Sequence, residues 1–186
     1  MPIPKSAKRV FKGIIHDVYQ WRQKMFDGSY KIFESVKRQD SVIVYASIKD
    51  KLIILRQMQP DTGWFYTTPA GRMDIKDEKP LAAAKRELLE ETGMISKKIF
   101  LWKKFKRKGK LVCMTYFFVA RDCQKISEQS LDGGEKIKIQ QMSFEEYLKL
   151  ADDPASRDWI EDSLIDMYKA RMDSKYKKYL KKVFFG

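Results

Sequence analysis

Only two of the 186 residues are cysteine, Cys113 and Cys123, and only one, His16, is histidine. So few soft ligands, so far apart, exclude a four-ligand zinc site and a C-x-x-C redox motif, and the two thiols read as free and buried. No apolar run approaches the roughly 20 residues that span a bilayer, and the opening MPIPKSAKRV lacks the apolar stretch of a secretory signal. The expectation is a cytoplasmic protein with no membrane partner. Repeats, low-complexity tracts and Pro/Gly/Ser linkers are missing as well, so one continuous globular unit is expected, and a 44% hydrophobic content is enough to build its core.

What the chain has in excess is positive charge, a formal +13 that is concentrated in two places. Residues 101–110 hold Lys103, Lys104, Lys106, Arg107, Lys108 and Lys110 with no acid, and residues 171–186 hold six basic residues against Asp173. Runs of this kind are solvated turns or tails, or surfaces that attract phosphates or nucleic acid.

Strands are expected over Val10 to Trp21 and, after the Asp27-Gly28-Ser29 turn, over Tyr30 to Val36. Two apolar runs, Ser41 to Ser47 and Leu52 to Leu55, form a hairpin in a buried sheet. Pro80 opens a helix over Leu81 to Thr92 that Gly93 stops. Further strands are expected at Ile99–Phe105, Leu111–Ala120 and Lys136–Met142. Ser143 to Glu146 matches a capping box that opens a short helix, and another helix runs from about Ser156 to Met172. The pattern predicts an α/β fold with a mixed sheet.

On the helix at 100° per residue, Leu81, Ala84, Leu88 and Thr92 line one side, while Glu87, Glu90 and Glu91 share an adjacent arc. Clustered like charges cost a few tenths of a kcal/mol in an isolated helix, a cost that a cation removes. Hard oxygen ligands suit Mg²⁺ or Mn²⁺. Read alone, the three glutamates are what a solvated acidic face beside Lys85 and Arg86 presents.

The longer string resembles the Nudix box: a glycine, a glutamate, then Arg-Glu-apolar-x-Glu-Glu-x-Gly-apolar, carried here by Gly71, Glu78, Arg86, Glu87, Leu88, Glu90, Glu91, Gly93 and Met94. The resemblance implies an α/β/α sandwich, with Mg²⁺ or Mn²⁺ held by Glu87, Glu90, Glu91 and the backbone of Ala70. It also implies support from Glu78 and an orienting role for Arg86 among the catalytic residues Arg86, Glu90 and Glu91. Six residues separate Gly71 from Glu78, one more than the family usually has.

Pro69-Ala70-Gly71 with Asp74 is similar to the form found in ADP-ribose and related sugar-nucleotide pyrophosphatases, as are the N-terminal strands, Arg56-Gln57 and the Ala120-Arg121-Asp122 strand end. The downstream proline of many ADP-ribose hydrolases is missing, since no proline lies between Pro80 and Pro154. The resemblance covers about residues 10–170 and divides the chain into an N-terminal strand extension, 1–38, and a Nudix hydrolase domain, 39–186. The extension would serve a homodimer and the substrate, with Trp21, Phe26 or Tyr30 stacking on a base or packing in a core. Trp21, Arg56 and Arg72 are the candidate substrate-binding residues. Glu135, in the Leu131 to Ile137 loop, resembles the late catalytic glutamate of some sugar-nucleotide members, or belongs to an ordinary Gly-Gly turn. The expected substrate is a small nucleoside diphosphate sugar. The alternatives are hydrolysis of nucleoside triphosphates, dinucleoside polyphosphates or capped RNA, and a non-catalytic nucleotide sensor.

Overall fold

A computed structural model describes residues 3–107, 109–156 and 161–186. Lys108 of the basic run and positions 157–160 of the expected helix lie outside the described residues. The strand-rich stretch from Val10 to Trp21 falls in two antiparallel strands, β1 (Lys8–Lys12) and β2 (His16–Lys24). The chain reverses at Gly13, whose N–H donates to the His16 carbonyl at 2.9 Å. A Cβ on Gly13 would lie 2.5 Å from that carbonyl oxygen, so glycine is what permits so tight a return. β2 then pairs along its length with β3 (Tyr30–Arg38).

The central sheet is built from β4 (Ser41–Ile48), β5 (Lys51–Met58), β6 (Phe65–Thr67) and β7 (Ala70–Arg72), followed by the helix α1 (Pro80–Thr92). After the short β8 (Met94–Ile95) come β9 (Lys98–Lys106), β10 (Leu111–Val112), β11 (Met114–Arg121), the short β12 (Gln124–Lys125) and β13 (Lys136–Ser143). The strand expected over Leu111–Ala120 is thus split at Cys113. Its first part joins β3 in parallel, to give a four-stranded sheet in the order β1-β2-β3-β10. Its second part lies parallel to β4 in the mixed sheet β13-β5-β4-β11-β9, with β6 on β5 and β7 on β4.

The chain ends in α2 (Phe144–Lys149), α3 (Glu161–Met172) and α4 (Ser174–Phe185). The capping box at Ser143 and Glu146 is present in full, each side chain serving the other residue's backbone N–H. Along β4, successive residues face opposite sides: Val42, Val44 and Ala46 pack with Ala83, Ala84 and Leu88 of α1, whereas Ile43 and Tyr45 pack with α2, α3 and α4. The result is an α/β/α sandwich. Two local expectations are corrected. Leu81 is exposed, and the neighbouring Ala83 takes the buried place on α1. The basic segment 171–186 is no solvated tail, because α4 buries Leu180 and Phe184 and its C-terminal carbonyls accept bonds from Arg121 and Ser47.

Candidate active site

The loop before α1 enters along β7, and Gly71 is where strand and helix touch. A Cβ there would lie 2.0 Å from the Glu87 carboxylate, so the glycine opens the space into which that side chain folds. The extra residue between Gly71 and Glu78 is absorbed beyond this contact. Ile75 to Glu78 closes a turn, Glu78 N–H to the Ile75 carbonyl at 3.2 Å, with Asp77 in the left-handed region at φ 61°.

Arg86 ties the carboxylates together. Its Nε and Nη2 grip both oxygens of Glu78 at 3.0 and 3.1 Å, Nη1 donates to Glu87 at 2.7 Å and to Glu90 at 3.0 Å, and Nη2 reaches the Arg72 carbonyl at 3.1 Å. This raises the guanidinium pKa further, chiefly through Glu78. Glu91 is buried and accepts the Ala70 N–H at 2.9 Å. Burial pushes Glu87 up to about 7 against the opposing pull of Arg86, and raises Glu91 well above the usual carboxylate range.

Among the described residues no three His, Cys, Asp or Glu side chains form a ready-made metal cage, and Arg86 supplies positive charge beside Glu87 and Glu90. The donor set nevertheless fits a hard divalent ion. The protein holds one oxygen of each of Glu87, Glu90 and Glu91, and the other has no hydrogen-bond partner among the described residues.

These groups line one wall of a cleft of about 470 Å³. Glu135 stands in the facing wall with Ser130, Leu131 and Asp132, its carboxylate reached by Gln57 Nε2 at 3.4 Å and its pKa raised by burial. Across Gly71 and Arg72 a second cavity of about 480 Å³ adjoins, lined among others by His16, Arg38, Thr67 and Thr68. The buried Nε of Arg38 has no hydrogen-bond partner among the described residues.

Glu87, Glu90, Glu91, Arg86, Ala70, Arg72 and Glu135 therefore meet in one place. Trp21 does not: it is buried against Phe33, with its indole N–H on Gln23. Phe26 and Tyr30 are exposed on the β2–β3 hairpin, and Arg56 lies over the Trp64 ring and is not among the residues that line the cleft. Phe65 and Arg38 escape sequence reasoning, while Gln57 and Asp132 lie in stretches the sequence singles out without being nominated there as site residues. Arg38 ends a strand with no motif around it, and only the fold brings it opposite Arg72.

The sequence profile of the NUDIX domain matches residues 37–163. The ADP-ribose pyrophosphatase of Bacillus subtilis (strain 168) is 29% identical over 151 residues, which span 79% of this chain and 81% of that protein. The crystal structure of an ADP compounds hydrolase superposes with a TM-score of 0.73 over 92% of this chain and 94% of its own, at 18% identity, a likeness of fold. With the profile spanning most of the chain and the carboxylate helix inside it, the chain belongs to the NUDIX domain family.

Proposed function

We propose that the chain is a divalent-metal-dependent pyrophosphohydrolase that converts ADP-ribose or another nucleoside diphosphate sugar to a nucleoside monophosphate and a sugar phosphate. The observation that carries this reading is the cleft, where three helix carboxylates, each with a free oxygen, face a fourth on a separate loop. Mg²⁺ or Mn²⁺ held by Glu87, Glu90, Glu91 and the Ala70 backbone would supply charge neutralisation to a diphosphate. Arg86 keeps the carboxylates apart and oriented. Glu135, its proton affinity raised by burial, accepts the proton of the water that attacks phosphorus. Arg72 on the shared wall and Arg38 beyond it offer guanidinium donors to phosphate oxygens, and the adjoining cavity gives the sugar phosphate half room.

The likeness to an ADP-ribose pyrophosphatase supports the substrate class. None of the described residues of 101–110 lines the cleft, so they give no support to a polyphosphate or capped RNA substrate. The partner is a small nucleotide. A second copy of the chain joins through the extension, 1–38, whose exposed Val10, Phe11, Ile14 and Ile32 support a homodimer. No helix among the described residues is long and apolar enough to cross a membrane. Incubation with ADP-ribose and Mg²⁺ in ¹⁸O-water tests the reading: AMP and ribose phosphate should form, with the label in a phosphate. Hydrolysis of nucleoside triphosphates with no action on any nucleoside diphosphate sugar would overturn it.

A further inference from the structure

The C-terminal end of α1 poses a question that the box leaves open. The last carbonyls of a helix have no partner within it. Here Gly93, left-handed at φ 68°, caps Leu89 with its own N–H at 2.7 Å. The carbonyls of Glu90 and Glu91 are instead taken by a distant segment: Ser130 N–H donates to Glu90 at 2.8 Å, and the side-chain amide of Gln129 donates to Glu91 at 2.6 Å. Ile126 and Ser127 both donate to the Gly93 carbonyl. A Cβ on Gly93 would lie 2.0 Å from the Ser127 carbonyl oxygen, so this glycine both turns the chain and admits the incoming segment.

The same segment runs directly into Leu131, Asp132 and Glu135 of the facing wall. At its far end Glu135 is held by Gln57, itself buried. The loop bearing the fourth carboxylate is therefore fastened at both ends. Its near fastening lies on the backbone of the two glutamates whose side chains form the opposite wall.

We infer that Gln129 is a positioning residue, whose amide fixes the Glu135 loop to the end of the carboxylate helix and keeps the two walls of the cleft in register. It touches neither substrate nor reacting atoms. It acts because a short chain leads from it to Glu135, and because a shift of an ångström in a proton acceptor costs far more in rate than in binding. The inference rests on the hydrolase reading above.

Gln129→Met keeps the length of the side chain and removes the donor. It should lower kcat by about tenfold with KM nearly unchanged, since the substrate-binding groups stay in place. Gln129→Lys, which retains an N–H donor, should recover most of that loss. Added to Glu135→Gln, the methionine change should cost nothing more, because the group it positions is already gone. Independently of turnover, amides 130–135 of the metal-free methionine variant should exchange faster with deuterium than those of the wild type. An unchanged kcat, a lysine variant as impaired as the methionine one, unchanged exchange, or a full additional loss in the Glu135→Gln background would each overturn the inference. A wild-type protein inert toward every nucleoside diphosphate sugar would instead remove the reading beneath it, and the exchange experiment would still decide whether Gln129 holds the loop.

Discussion

At Gly71 a missing side chain is the functional feature. With 2.0 Å between a would-be Cβ and the Glu87 carboxylate, Gly71→Ala must push Glu87 away from Arg86 and from the place beside Glu90 and Glu91. Turnover at saturating Mg²⁺ should fall by at least about tenfold, while circular dichroism shows the same fold; an alanine variant of wild-type activity would show that Glu87 need not lie there. Burial also makes the helix carboxylates a pH-dependent burden. Glu87 is raised from 4.5 to about 7, and Glu91 shifts in the same direction. With the folded pKa above the unfolded one, the contribution to stability is complete below 4.5 and is lost as pH rises through about 7. In EDTA the melting temperature should therefore decline between these limits, and Glu91→Gln should flatten the decline while abolishing turnover. A melting temperature that rises across that window, in wild type and variant alike, would refute the assignment. These residues were legible in the sequence because the box spacing fixes their places on one helix arc. Arg38 and Gln129 were not, since each acquires its neighbour only through strand pairing or a loop that returns from far along the chain.

Among the elements, α1 was readable because Pro80 and Gly93 mark its two ends and small residues mark its packed face. α4 was hidden by its own charge. Tyr176, Leu180, Val183 and Phe184 recur at helical spacing, yet the lysines between them gave the segment the composition of a tail. Those lysines project outward, and Lys177 and Lys181 pair with Glu145 of α2. β6 and β7 went unread for another reason, because three residues are too few to show a period and both strands exist only by pairing with β5 and β4. If α4 is part of the core, Phe184, fully buried among Tyr45, Trp102, Phe144 and Tyr147, should behave as a core residue. Phe184→Ala should cost about 3–5 kcal/mol in urea unfolding. Lys178→Gln on the exposed face should stay within about 0.5 kcal/mol of wild type. Equal, small effects of the two would mean that α4 does not dock in solution.

At the scale of the whole molecule, the sheet β1-β2-β3-β10 stands apart from the sandwich and leaves apolar side chains in water: Val10 and Phe11 on β1, Ile14 at the turn, where it is 96% exposed, and Ile32 on β3. β1 is also an edge strand, with one side of its backbone unpaired in the sheet. Exposed apolar side chains beside an open edge suit a subunit interface, and a stable one buries about 1,600 Å² in total. The sheet is bound to the site as well, for Ile15 lines both cavities and His16 and Arg38 line the second. Assembly through this face would therefore steady one wall of the substrate site. We expect sedimentation equilibrium at micromolar protein to give twice the 22.0 kDa chain mass. Phe11→Glu with Ile32→Glu places charge in the buried interface without touching the sandwich core, so the double variant should sediment as a folded monomer. Its KM for the nucleoside diphosphate sugar should rise while the helix carboxylates remain intact, and kcat should fall less than KM rises. A wild-type protein that is monomeric at these concentrations, or a double variant that stays dimeric, would show that the N-terminal sheet is not the interface and that its apolar face has another use.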